Sequence, residues 1–142
     1  MNLTGDETPG LKSVMTQKTV IRPAGTAPAV GPYHHAVRIG DLLFCSGQIP
    51  LSPKDPNAAF PADIQAQTEQ VIRNIEAILS DQGLTLHAVV KTTVFMTNLA
   101  DFGAMNEVYA RNFGPEYPAR STVQVAALPR GAAVEIEVIA HY

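Results

Sequence analysis

An α+β domain, a mixed sheet covered on one face by two helices, is what the 142-residue sequence predicts. Three observations carry this. In one segment Ile64, Thr68, Val71, Ile75 and Ile78 recur at spacings of four and three, which makes a single helical face. Phe102, Met105, Tyr109 and Phe113 form a second such face. Near the C-terminus Val134, Ile136 and Val138 alternate with Glu135 and Glu137, a period of two that sets aliphatics and carboxylates on opposite sides of a strand.

Taken in order, residues 1–18 are polar, broken by Pro9 and Gly10, and read as a flexible extension, with Met15 as an alternative start. The domain is placed at 19–142. Thr19-Val20-Ile21 reads as a short edge strand, and Pro23, Gly25, Pro28, Gly31 and Pro32 then impose an extended, turning segment that ends at Tyr33. His35–Ile39 and Leu42–Ser46 flank Gly40-Asp41, a two-residue hairpin turn. The prolines at 53, 56 and 61 make 51–62 a loop. Asp63 opens the first helix, with Glu69, Arg73, Asn74 and Glu76 largely on its outer surface, and Gly83 ends it. His87–Thr97 is a long strand, Asp101 an N-cap for the second helix, and Gly114-Pro115 its stop. Ser121–Leu128 and Ala133–Ala140 read as a terminal hairpin about Pro129-Arg130-Gly131, which would return Glu135 towards Arg120. The resulting order is β-β-β-α-β-α-β-β.

Composition excludes several classes. With 46% apolar and 16% charged residues the chain has the means to build a core. A net charge of −3 with ten scattered Lys and Arg offers no basic stripe, which argues against a nucleic-acid partner. No stretch reads as a membrane span or secretory segment, so the reading is a cytoplasmic protein. The single Cys45 has no partner for an intramolecular disulfide and reads as a buried small hydrophobe. Metal motifs and glycine-rich nucleotide loops do not occur, so the expected chemistry uses neither metal nor cofactor.

Arg120 stands out, set just after a proline-bounded corner. A guanidinium grips a carboxylate through two parallel hydrogen bonds and so orients a small acid. The alternative for Arg120 is an ion pair with Glu116, Glu135 or Glu137. Glu135 and Glu137 share a face, and either has the chemistry to pass protons; spacing alone does not choose between them. His34 and His35 are adjacent and on a strand point to opposite sides, so they do not readily chelate one metal. They read as a surface pair at a strand entrance.

The runs Pro118-Ala119-Arg120-Ser121 and Val134-Glu135-Ile136 follow Gly31-Pro32-Tyr33, Ser46-Gly47-Gln48-Ile49-Pro50 and Val90-Lys91-Thr92-Thr93-Val94-Phe95. In this order and spacing they resemble the Rid/YjgF/L-PSP family, the reactive-intermediate (enamine/imine) deaminases. The resemblance covers the chain from about Ile21 to the end. It implies a chorismate-mutase-like α+β fold and a homotrimer with sites between subunits. It also implies hydrolysis of 2-imino and 2-enamino acids, such as 2-iminopropanoate and 2-aminoacrylate, to 2-keto acids and ammonia.

By the same resemblance Arg120 and Glu135 are the catalytic pair. Arg120 anchors the substrate carboxylate, and Glu135, rather than Glu137, handles protons. Tyr33, Ser46, Gly47 and Thr122 line the pocket. Thr122 stands where the family often has cysteine, in a role that belongs to the main chain. Asn106 matches a helix asparagine read as structural. His34-His35 replaces the small or amide residues common after Gly-Pro-Tyr. Alternatives to the general deaminase are a pathway-specific enzyme such as a 2-aminomuconate deaminase, a ribonuclease of the L-PSP type, and a non-enzymatic trimer that binds small ligands.

Overall fold

The structure, a computed structural model, describes residues 17–142. The flexible extension and Met15 therefore lie outside the described residues over positions 1–16. Among the described residues no helix is long and apolar enough to cross a membrane.

Among the described residues, runs with a period of two form six strands: β1 (Thr19–Ile21), β2 (Ala36–Ile39), β3 (Leu42–Gln48), β4 (Val89–Met96), β5 (Ala119–Gln124) and β6 (Val134–His141). Two helices interrupt them, α1 (Ile64–Asp81) between β3 and β4 and α2 (Phe102–Phe113) between β4 and β5. The sheet order is β1-β2-β3-β6-β4-β5. Only β4 and β5 are parallel among the paired strands; the other pairs are antiparallel. The mixed sheet with two helices is thus as expected.

The terminal hairpin is not. β5 pairs with β4 in parallel, and β4 stands between β5 and β6. A strand, a helix and a further strand in sequence favour a parallel crossover over a return against the next strand. Residues 125–133 are correspondingly not a tight turn: Pro129–Gly131 is a 3-10 turn, with Arg130 in the left-handed region at φ 56. Its guanidinium donates to the Pro56 carbonyl and lies over the Phe60 ring.

Local chemistry explains the helix ends. Asp63 Oδ1 accepts from Ala66 N at 2.7 Å, the expected N-cap of α1. Gly83, at φ +71, lets the chain leave α1. Asp101, by contrast, makes no side-chain cap; Asn98 caps the preceding 3-10 turn by accepting from Ala100 N. The strand expected from His87 begins at Val89, because Leu86–Ala88 forms a 3-10 turn.

The core lies between the helices and one sheet face, where Leu43, Val94, Met96, Val134 and Ile136 meet Val71, Ile72, Ile75, Ile78, Met105 and Val108. Cys45 belongs to this core, and burial pushes its thiol up to about 12, so it is no nucleophile at neutral pH. Asn74 also points inward. Its amide donates to the Ile49 and Leu51 carbonyls at 3.0 and 2.8 Å, pinning the chain just beyond β3 to α1. Asn74→Leu orphans both acceptors in a buried place and is expected to cost about 2–4 kcal/mol in urea denaturation. An unchanged midpoint would show that the loop finds other donors.

Among the described residues nothing covers the opposite sheet face. Leu42, Phe44 and Val123 are 40–43% exposed there, beside Thr93, Glu135 and Glu137.

Candidate functional site

Facing residues on paired strands share a sheet face, so strand register locates each candidate side chain. Arg120 lies opposite Thr92 and Thr122 opposite Val94, on the face that the helices cover. Glu135 lies opposite Phe95 and Glu137 opposite Thr93, on the uncovered face. Arg120 and Glu135 therefore point to opposite sides of one chain's sheet. The sequence expectation that a turn returns Glu135 to Arg120 is corrected on two counts: β4 intervenes, and the parity is opposite.

The first half-site surrounds Arg120. Its Nη1 donates to Asn106 Oδ1 at 2.7 Å. The guanidinium carbon lies 4.6 Å from the centre of the Tyr109 ring and 5.4 Å from that of Phe102. Tyr109 is held in turn by a 2.7 Å hydrogen bond between its hydroxyl and that of Thr92. Among the described residues no carboxylate lies within ion-pair distance of Arg120. The ion-pair alternative is thus not what is found. Arg120 forms the wall between two clefts. One, of ≈ 280 Å³, is lined by Asn106, Tyr109, Tyr117 and Pro118; the other, of ≈ 410 Å³, by Leu99, Phe102 and Thr122. The Thr122 hydroxyl is buried beside the second cleft with no hydrogen-bond partner among the described residues.

The second half-site surrounds Glu135. β3 carries a bulge: Cys45 faces Val138 and Gln48 faces Ile136, so Ser46 and Gly47 together oppose Glu137. The carboxylate of Glu135 packs into the space left by the missing side chain of Gly47. A Cβ at Gly47 would stand 2.7 Å from Glu135 Oε1. Desolvation pushes the Glu135 carboxyl above its ordinary value, and the Glu137 charge pushes it further the same way. The Ser46 hydroxyl donates to the His34 carbonyl at 2.7 Å, which leaves its lone pairs rather than its proton for a ligand. Tyr33 is 41% exposed, with its hydroxyl accepting from Val30 N.

The structure thus joins Arg120 with Thr122, and Ser46 and Gly47 with Glu135 and the Tyr33 loop, but it does not join the two groups within one chain. Two features escaped the sequence reading. Asn106, read as structural, is the hydrogen-bonding partner of Arg120. Phe102, read as facing inward, is 37% exposed and faces the guanidinium. Phe102, Asn106 and Tyr109 stand at i, i+4 and i+7 on α2, and that stripe was the available signal. His34 is exposed as expected of a surface pair, whereas His35 is half-buried and hydrogen-bonded.

Comparison with known proteins decides the family. A family model described as Endoribonuclease L-PSP matches residues 24–142. The chain belongs to the Rid/YjgF/L-PSP family. A RutC family protein of Pyrococcus horikoshii is 44% identical over 124 residues, covering 87% of this chain and 98% of that one. A Yersinia pestis structure of the conserved Rid family, of unknown function, superposes with a TM-score of 0.84 at 46% identity, covering 89% and 100% of the two chains. Escherichia coli TdcF, whose assigned name is that of a candidate reactive intermediate deaminase, is 42% identical over 126 residues, 87% of this chain and 96% of TdcF. Its crystal structure with bound serine has a TM-score of 0.80 at 40% identity, covering 87% and 98%. The family thus includes proteins named for deamination of reactive intermediates, and also for ribonuclease activity.

The packing of Glu135 on Gly47 carries a prediction. Gly47→Ala is expected to move the carboxylate and to lower the deaminase turnover proposed below at least about tenfold, with the melting temperature within about 3 °C of the parent. Full turnover in this variant would remove the reason for a glycine beside Glu135.

Proposed function

We propose that the protein hydrolyses small 2-imino and 2-enamino acids, 2-iminopropanoate and 2-aminoacrylate among them, to 2-keto acids and ammonia. The observation that carries this reading is a pair of ionisable groups prepared for a ligand. Arg120 is held by Asn106 and two aromatic rings with no acid on it among the described residues, and Glu135 is a carboxylate kept partly from water.

In this reading Arg120 receives the substrate carboxylate through the donors that Asn106 leaves open. Thr122 and Phe102 border the same cleft. Glu135 accepts a proton from water as the water attacks C2 of the protonated imine, giving a carbinolamine. It then delivers that proton to the nitrogen, and ammonia departs as the carbinolamine hydroxyl returns its proton to Glu135 and the C2 carbonyl forms; the departing ammonia carries that proton away as ammonium. An enamine substrate first takes a proton at C3 to become the protonated imine. Such compounds hydrolyse unaided, so orientation and one proton relay supply enough acceleration.

Because the two groups lie on opposite faces of one sheet, the reading requires two copies of the chain at each site. The uncovered face, with Leu42, Phe44 and Val123 exposed, supports burial against another copy, and a homotrimer is the expected assembly. Tyr33, Ser46, Gly47 and Glu135 of one copy would then meet Arg120 and Thr122 of the next.

The test generates 2-aminoacrylate from serine or cysteine with a pyridoxal-phosphate lyase and follows keto-acid formation with and without the protein. Faster release, together with a trimeric mass by light scattering, is the expected result. A stable monomer, or no acceleration with any imino acid, would overturn the reading.

A further inference from the structure

His35 lies outside the half-site formed by Ser46, Gly47 and Glu135, yet both of its ring nitrogens are engaged. Nε2 stands 2.6 Å from the Ala27 carbonyl, and Nδ1 stands 3.5 Å from the Gln48 amide nitrogen, the longer of the two contacts. A carbonyl only accepts, so Nε2 carries the hydrogen and Nδ1 is the acceptor. The same Gln48 amide donates to the Ser46 carbonyl at 3.1 Å. The Tyr33 ring meets the imidazole edge-on, with centroids 6.4 Å apart. Ala27 is itself buried with Ile49, Leu51 and Ala132 in a small second core.

We propose that His35 is a positioning residue that locks the loop bearing Tyr33 onto the bulge bearing Ser46 and Gly47, through Ala27 on one ring nitrogen and Gln48 on the other. Its place in catalysis rests on the deaminase reading; the lock itself does not. The loop from Arg22 to His34 lines a cleft of ≈ 320 Å³ and has little regular structure of its own, so its placement depends on such ties. Two more link it to β3: Ser46 N donates to the His35 carbonyl, and the Ser46 hydroxyl to that of His34. The ring adds to the packing of Ala27 a hydrogen bond that reaches across the loop. Losing it frees Tyr33 while Gly47 still holds Glu135, so substrate binding suffers more than the chemical step.

His35→Phe keeps the ring's bulk and removes both polar contacts. His35→Gln restores a donor and an acceptor in one side chain. Gln48→Met breaks the other end of the relay. Amide hydrogen exchange is measured over residues 26–34 and 46–48, alongside deaminase kinetics on the full-length chain. His35→Phe and Gln48→Met are expected to exchange faster in these segments. His35→Phe is also expected to lose about tenfold in kcat/KM, through a higher KM with kcat within about threefold, and His35→Gln to recover both properties. Parent-like exchange in both His35→Phe and Gln48→Met would overturn the lock, whatever the activity. A kcat-led loss that His35→Gln does not rescue would overturn the positioning role. A parent protein without turnover that still shows the exchange pattern would sink the deaminase reading and leave the lock standing.

Discussion

Glu135→Gln is expected to lower turnover of 2-iminopropanoate by about 10²–10⁴-fold, the range for loss of a general acid–base group, while affinity for a keto acid stays near the parent's. The substitution keeps the shape that fills the space over Gly47 and removes only the capacity to take a proton from water. Calorimetric titration with pyruvate or 2-ketobutyrate and the coupled lyase assay separate the two quantities. The sign of the pH dependence follows from the direction of the shift. In its proposed role as base Glu135 must be ionised, and burial raises this carboxyl, so activity is expected to fall as the medium is acidified through a range above that of an ordinary glutamate. The same shift means that the folded state binds more protons than the unfolded one, so this carboxyl's contribution to stability declines as pH rises through that range. Glu135→Gln should therefore melt no lower than the parent at neutral pH. If Glu137→Gln loses turnover and Glu135→Gln keeps it, the wrong glutamate has been assigned.

Two inactive variants are expected to restore activity to each other. Arg120→Ala removes the proposed carboxylate anchor and should weaken keto-acid binding by about 10–100-fold, as for a lost charge-assisted hydrogen bond. Arg120→Lys should fall between, since it keeps the charge but not the planar fork. Because Arg120 and Glu135 lie on opposite faces of the sheet, a site in the proposed trimer takes one residue from each of two neighbours. When Arg120→Ala and Glu135→Gln chains are unfolded together, mixed equally and refolded, about one interface in four joins an intact arginine to an intact glutamate. Roughly a quarter of parental activity should return, from two preparations that are each nearly inactive. Absence of recovery in mixed trimers verified by native mass spectrometry would show that both residues of a working site come from one chain.

These two residues also show where sequence reasoning stops. The parity within each strand was legible: Glu135 and Glu137 on one side of β6, Val134 and Ile136 on the other, because a pleated strand turns alternate side chains to opposite faces. The helical stripes, the Gly40-Asp41 turn and the Asp63 cap were legible for the same reason, since each depends on neighbours a few residues away. Family motifs named Arg120 and Glu135, but no local pattern says which strands become neighbours.

Adjacency in the chain pointed to a hairpin of β5 with β6. Instead the parallel crossover through α2 seats β5 beside β4, and β6 enters between β3 and β4. That choice is made by burial. β6 is the strand whose Val134, Ile136, Val138 and Ala140 are all buried, and a central position covers it on both edges. The order of strands, and with it the separation of Arg120 from Glu135, comes from contacts remote in sequence that only the tertiary structure brings together. The bulge at Ser46-Gly47 is of the same kind: Gly47 was visible, but the carboxylate it makes room for lies 88 residues further along the chain.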